Sequence, residues 1–512
     1  MPTFAAVDIG ANSVRLKIAR LVRRRLRVIH EDRQVTRLGE LVFKSPGGVL
    51  SPDSMSDTVK VLRRFHRASQ EYGVDAVRVV ATSALREAHN RQRFIDWVHS
   101  VTGWTVEIIS GAEEARLIHL GVVSNLRISG WPALMVDLGG GSCELTISVR
   151  GQIRDTVSVP LGAVRLTNEF LHHDPPRKKE LRQLRGFIDR ELGRVSNKII
   201  AARVKTVIAT SGTAAALAAV AENLDKHSSG TAGSFVPART AARIARLLAR
   251  RTVEERAELQ GIGPRRAEIV VAGAAVYAQL LERCRLRYFR YSPLGLRDGL
   301  LEQMAADYDR RARPREKIES ERWESILAAA GHYQVDMDHA MQVRKFAVQL
   351  FRSMARLHQL PMEYEEWVSA AAILYEVGGY INRNGRHRHA YYILSHSEIL
   401  GVTPQQRRII AAIARYTGTS PPLASDPPIK ALPAADRQHV MRACLVLRLA
   451  RALNLGRHQA VKALKIRLQK NTVALALTPK RGTDVELELW ALERERAYFR
   501  EVLGRGLSAA VA

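Results

Sequence analysis

At 512 residues, 46% of them hydrophobic, the chain is too long for one core and divides into about three or four globular domains. No run approaches the roughly 18 uninterrupted apolar residues of a membrane span, and Met1-Pro2-Thr3-Phe4 enters a strand without a basic leader, so a soluble cytoplasmic protein with no membrane partner is expected. The 79 Lys plus Arg against 51 Asp plus Glu leave a net charge of +28, which recruits polyanions; without a basic arm, zinc-finger spacing or aromatic-interleaved basic strand, a specific nucleic-acid reader is excluded. Solvated arginine-rich helices would give the same balance. Cys143, Cys284 and Cys444 are too scattered for a disulfide framework or zinc cluster and read as buried hydrophobes.

In chain order, Phe4–Asp8 and Val14–Leu21 alternate as strands, Asp57–Tyr72 is helical, Ala76–Ala81 is a strand, and Asn90–Thr102 is a helix. This alternation predicts a mostly parallel sheet covered by helices. A second α/β unit begins near Ala133, passes through the strand entering Ser211-Gly212-Thr213, and ends near Tyr308; Asp174–Glu180 reads as a proline loop feeding a helix. The charged, proline-containing Asp309–Lys317 reads as a linker. From Glu319 to about His458 the spacing is helical, with loops at Asn382–Arg388 and Thr417–Pro433. Val461–Leu468, Thr472–Leu477 and Val485–Trp490 then alternate like strands before a closing helix, Glu493–Leu503.

One pattern occurs twice: Ala6-Val7-Asp8-Ile9-Gly10-Ala11-Asn12-Ser13-Val14-Arg15-Leu16 and Met135-Val136-Asp137-Leu138-Gly139-Gly140-Gly141-Ser142-Cys143-Glu144-Leu145. Each is a buried strand ending in Asp, a tight glycine turn and a second strand. The turn brings backbone N–H groups close to an anion, and the Asp can hold a divalent cation or a water beside it. Two such hairpins facing each other would cradle a phosphate chain between two similar lobes, although one copy alone is also an ordinary hairpin. Arg86 follows the strand Ala76–Ala81 and stands at the sheet's carboxyl edge, where open α/β sheets bind ligands. Glu113 and Glu114 open a helix after Ser110; either is a candidate general base, and either is equally a partner for the helix dipole.

Asp8–Leu16, Ala81–Ala88, Ser110–Ile118, Asp137–Leu145 and Ser211–Thr213, in this order, resemble the exopolyphosphatase and guanosine pentaphosphate phosphohydrolase family of the sugar kinase, heat-shock chaperone and actin superfold. The resemblance covers roughly the first 300 residues and extends more weakly through the C-terminal half. It implies an α/β fold of two duplicated ribonuclease H-like (actin-like) lobes with an interlobe cleft, then an all-α HD-like domain and a small α+β segment. The implied domains are 1–125, 126–308, 318–458 and 459–512. By the same resemblance Glu114 is the catalytic base and Arg86 contacts phosphate. Asn12 and Ser13, Gly139, Gly140, Gly141 and Ser142, and Ser211, Gly212 and Thr213 form three substrate-binding loops. Asp137 and Glu144, with Asp8 as a further candidate, would hold magnesium; a monovalent cation is a second candidate cofactor. Ala11 and Cys143 depart from the family pattern at Ser and Thr positions, both beside backbone-donor loops.

The activity implied is release of terminal phosphate from inorganic polyphosphate, with guanosine pentaphosphate as the alternative substrate. A kinase of the same superfold and a non-catalytic sensor are more distant readings, and homodimerisation is implied by the longer relatives. In the C-terminal half His339 and His387-Arg388-His389 resemble HD-type metal helices. Tyr375-Glu376 stands where the His-Asp pair is expected, however, and Asn454 where Asp is common, leaving too few ligands for a metal site. Arg383, Arg386, His387, Arg388 and His389, read as a basic loop, and Arg407-Arg408 at a helix start would instead hold a polyanion.

Overall fold

The computed structural model describes residues 1–44, 48–126, 130–224, 235–309 and 314–512. The chain parts into two compact units, Met1–Lys317 and Ile318–Ala512. No helix among the described residues is long and apolar enough to cross a membrane.

The first unit is mixed α/β and contains two sheets. In the first, β1 (Thr3–Ile9) is buried along almost its whole length, as expected of a central strand, and pairs antiparallel with β2 (Ser13–Val22). β2 pairs antiparallel with β3 (Arg25–Val35), while β4 (Ala76–Ala81) and β5 (Val106–Ile108) add in parallel beyond β1, giving the order β3-β2-β1-β4-β5. The second sheet holds β6 (Ala133–Leu138), β7 (Cys143–Val149), β8 (Gln152–Val159), β9 (Thr206–Thr210), β10 (Phe235–Pro237) and β11 (Tyr288–Tyr291), in the order β10-β11-β9-β6-β7-β8. Here too three antiparallel strands, β6 to β8, continue into parallel ones, β9 and β11. Sequence periodicity misses β3: its one partner is β2, so it is a partly exposed edge strand of charged residues with little apolar alternation.

The helix Gly111–Asn125 follows β5 but packs against β7 and β8, and it crosses the helix Leu296–Tyr308, which packs back on β1. Small residues make that crossing close. A Cβ on Gly299 would lie 1.8 Å from the Leu117 carbonyl oxygen, and one on Gly121 2.7 Å from the Gly295 carbonyl oxygen. Of the expected linker, residues 310–313 lie outside the described residues, and Pro314 already opens a helix reaching His332.

In the second unit the helices Met337–Ser353, Glu363–Leu374, Pro404–Arg415 and Ala434–Ala452 share one apolar core with three strands. These are β12 (Val461–Leu468), β13 (Thr472–Pro479) and β14 (Gly506–Val511), with β13 central. Val485–Trp490 is not a strand. Glu486–Arg494 is helical, because Val485, Leu489 and Leu492 fall on one helical face toward the core and override the short alternation. The third strand is instead the chain terminus. The basic stretch Arg386–His389 is likewise the first turn of a helix, Arg386–His396, and not a loop. All three cysteines are free and buried.

Candidate active site

The two repeated hairpins form their turns in the same way: Gly10 N–H donates to the Ser13 carbonyl at 3.1 Å, and Gly139 N–H to the Ser142 carbonyl at 2.9 Å. The turns abut, since a Cβ on Gly140 would lie 3.0 Å from the Ala11 Cβ and 3.4 Å from the Asn12 nitrogen. They line a cleft of about 260 Å³ together with Asp8, Asp137, Glu114 and the start of the helix Ser211–Leu224. Ser211, Gly212 and Thr213 are therefore a helix N-terminus more than a free loop. Ser211 sits at φ 77°, a left-handed conformation costing about 1–3 kcal/mol that fixes how the strand turns into the helix beside the cleft.

Register then makes the two hairpins chemically different. Residues directly opposite in an antiparallel pair share a face. Arg15 is opposite Asp8, whereas Glu144 is opposite Asp137. The second hairpin thus doubles its negative charge, and Glu114 from the helix Gly111–Asn125 joins it: one oxygen each of Glu114, Asp137 and Glu144 lies within 4.8 Å of the others. Asp8 lies in the same cleft outside this triad. Only hard oxygen donors are offered, and one Glu144 oxygen is buried without a hydrogen-bond partner, so the group suits a divalent cation such as magnesium.

Electrostatics agree with the geometry. Glu114 and Glu144 are 6% and 2% exposed. Burial, then the neighbouring Glu144 charge, holds the Glu114 carboxyl well above the usual range, and Arg86 partly offsets this. Burial and Asp137 push Glu144 up to about 7, against hydrogen bonds from Ser142 and Ser158. Asp137 is also raised by burial, although Thr210 Oγ donates to it.

The adjacent acids Glu113 and Glu114 take different work. Ser110 caps the helix by accepting from the Glu113 N–H at 3.1 Å, and the Glu113 carboxylate binds Arg116 through two contacts of 2.8 Å. Arg116 is fully buried and also donates to Gln303 at 2.5 Å, so Glu113 is part of the packing between helices. Glu114 faces the cleft. Arg86 Nη1 donates to the Ile109 carbonyl at 2.6 Å and approaches Glu114 Oε2 at 3.4 Å; it stands behind Glu114 and does not line the cleft. Gly299→Ala, which would wedge the helix carrying Glu114, is expected to cost about 1–3 kcal/mol and to lower kcat together with Tm, as thermal unfolding and steady-state rates would report.

Four arginines also line the cleft, Arg15 from the first hairpin and Arg33, Arg266 and Arg297, which no motif singled out. Among the described residues, Arg15, Arg33 and Arg266 have no carboxylate at ion-pair distance, while Arg297 donates to the Leu16 carbonyl. Burial, and then their neighbours' charges, lower Arg33 to about 10 and Arg266 to about 9. Gly212 leaves room for Arg266, whose Nη2 sits 1.5 Å from where a Cβ would be. A cleft lined both by a carboxylate triad and by crowded guanidinium groups suits a phosphate chain whose end is attacked. The spacing of seven residues from Asp8 to Arg15 was visible in the sequence; the convergence of Arg33, Arg266 and Arg297 was not.

In the second unit, His339 Nδ1 accepts from Asn454 Nδ2 at 3.0 Å and His339 Nε2 meets Tyr375 Oη at 2.5 Å. The Gln459 N–H donates to Asn454 Oδ1 and fixes that amide. Both ring nitrogens are engaged, and burial keeps the imidazole neutral. Of the expected polyanion contacts, Arg383, Arg388 and Arg408 are exposed, while Arg407 donates to the Ser397 carbonyl.

A model of the Ppx/GppA phosphatase family matches residues 17–307, and one of Ppx/GppA phosphatase, domain III, matches residues 322–496. Exopolyphosphatase 2 of Mycobacterium tuberculosis is 32% identical over 293 residues, 55% of this chain and 91% of its own. The guanosine-5'-triphosphate,3'-diphosphate pyrophosphatase of Aeromonas hydrophila is 26% identical over 483 residues, 94% of this chain and 93% of its own. Among solved structures, an exopolyphosphatase from Cytophaga hutchinsonii aligns with a TM-score of 0.56 at 26% identity, over 60% of this chain and 98% of that one.

Proposed function

We propose, from the premise that this chain belongs to the Ppx/GppA phosphatase family, that it is a phosphoanhydride hydrolase releasing terminal phosphate from inorganic polyphosphate. The observation that carries this reading is the buried carboxylate Glu114 facing a cleft that four arginines also line. Phosphoanhydrides resist hydrolysis because their oxygens repel the nucleophile, so catalysis is charge neutralisation and alignment of water. Arg15, Arg33, Arg266 and Arg297 neutralise the inner phosphates, and the backbone N–H groups of Asn12–Ser13 and Gly139–Ser142 hold the terminal one. Glu114, in its ionised form, accepts the proton of the attacking water, and Arg86 favours that form against burial and the Glu144 charge. Asp137 and Glu144, with Glu114 beside them, are the residues that would hold magnesium. When bound, the ion supplies Lewis-acid stabilisation of charge on the phosphoryl oxygens.

Guanosine pentaphosphate is the second reading, supported by the Aeromonas relative, which aligns along nearly the whole chain. The deciding experiment is magnesium-dependent phosphate release from long-chain polyphosphate and from guanosine pentaphosphate, side by side. Preference for the polymer supports our reading, with a steeper loss of binding in salt for long chains than for short ones, because exposed Arg383, Arg388 and Arg408 would contact the extra length. Preference for the nucleotide, or equal salt slopes, counts against it.

The metal proposal has a test that does not use turnover. With Glu144 at about 7 and Glu114 also raised by burial, the folded protein holds protons that the unfolded chain releases near pH 4.5. Metal-free stability therefore falls as pH rises from about 4.5 through 7, and stays low above. Magnesium at about a hundred times its Kd is expected to restore about 2.7 kcal/mol at pH 8 and much less at pH 5, where protons compete. Equal Tm shifts at both pH values would remove the triad as the site. We further read the two sheets as duplicated actin-like lobes, 318–458 as an HD-like domain without metal chemistry, and the protein as a cytoplasmic homodimer.

A further inference from the structure

The second unit contains a cavity of about 270 Å³ that the phosphatase reading leaves unused. Its lining is cationic: Arg386, His387, Arg448, Arg451 and Arg494, with Trp490 at the edge. The one carboxylate in the lining, Glu495, is already held by Arg448 through hydrogen bonds of 2.7 and 2.9 Å. Arg448 also donates to the carbonyls of Tyr416, Gly418, Thr419 and Ser420, folding that loop into the wall of the cavity. Gly418 packs so tightly on His387 that a Cβ there would lie 3.1 Å from the ring, which sets the imidazole against the same wall.

The remaining cations outnumber the carboxylates that reach them. Arg451 donates to the Thr417 carbonyl at 2.8 Å and has no carboxylate at ion-pair distance among the described residues. Arg386 shares Glu376 with Arg457. Arg494 lies over the Trp490 ring, 4.9 Å from its centroid, with no acidic partner at ion-pair distance among the described residues. Burial first of all, and then the Arg386 and Arg448 charges, lower Arg451, so an anion entering the cavity would relieve the mutual repulsion of these guanidinium groups. Trp490 is 53% exposed beside them, so a flat ring can pack on its free surface while its anionic tail enters the cavity. Pockets that enclose a whole drug-sized ligand begin near 300 Å³, so this one fits the phosphates, with the remainder outside.

We infer that this cavity binds a nucleoside polyphosphate, its linked phosphates among Arg386, Arg451 and Arg494 and its base on Trp490. The site is separate from the cleft of the first unit and does not depend on how that cleft is read. Calorimetric titration of the full chain in chelator, with a methylene-bridged guanosine triphosphate analogue and with tripolyphosphate, tests it. Two sites per chain are expected for both ligands. Arg494→Glu, at an exposed position where folding is not at stake, is expected to weaken one site about tenfold or more and leave the other. Arg266→Glu is expected to do the converse, so failure of the cleft reading is seen separately. Trp490→Ala is expected to weaken the nucleotide analogue about tenfold and to spare tripolyphosphate. One site per chain, or a second site insensitive to Arg494→Glu, overturns the proposal. Equal response of both ligands to Trp490→Ala overturns the nucleoside and leaves an inorganic oligophosphate.

Discussion

Glu114→Gln is expected to lower phosphate release by about a hundredfold to ten-thousandfold, the usual worth of general-base assistance, while the protein remains folded. The substitution keeps the shape of the side chain and removes its capacity to take a proton. It also removes one of three mutually repelling carboxylates, so Tm at pH 8 without metal is expected to hold or rise. Glu113→Gln is the matching control. It breaks the contacts with fully buried Arg116, so it is expected to lower Tm by more than it lowers kcat. If Glu114→Gln turns over normally, the base is another group, and bound water or Asp8 becomes the next to test.

Arg86→Ala is expected to cost about a hundredfold to a thousandfold at pH 7, and to move the acidic limb of the pH–rate profile upward. The sign follows from the charges. Burial and Glu144 raise Glu114, and Arg86 is the cation that lowers it. Without Arg86 the carboxyl holds its proton to higher pH, so the base is ready only in more alkaline solution. Part of the lost rate should therefore return as pH increases, and Arg86→Lys should recover more at pH 7 by restoring the charge without the bond to Ile109. A uniform loss at all pH values would instead mean that Arg86 contacts phosphate directly and leaves the base unaffected.

Much of the site was legible because its signals are local. The Asp-to-Ser turns and the acids after Ser110 each depend on residues within one or two turns of chain, where glycine and capping residues leave a readable pattern. Asp137 and Glu144 were named together only through the family resemblance, and the hairpin register places them opposite each other. The misses share a different cause. β3 is an edge strand with polar residues on both faces, and Glu486–Arg494 alternates briefly like a strand although its apolar residues meet the core at helical spacing. Periodicity over a few residues cannot separate these cases without the packing partner.

By itself the sequence determined that one Asp-to-Ser turn pattern occurs twice, which residues stand at each turn, and that the chain carries a strongly positive charge. Only the tertiary structure shows how the two adjacent acids differ in surroundings: Glu113 is held by Arg116, which also meets Gln303, while Glu114 lies with Asp137 and Glu144. It also placed Arg33, Arg266 and Arg297 around one cleft from segments more than two hundred residues apart in the chain. Local patterns follow from backbone geometry, whereas the charge at a point in space is a sum over whatever the fold brings there, and that sum sets which carboxylate keeps its proton and which anion binds.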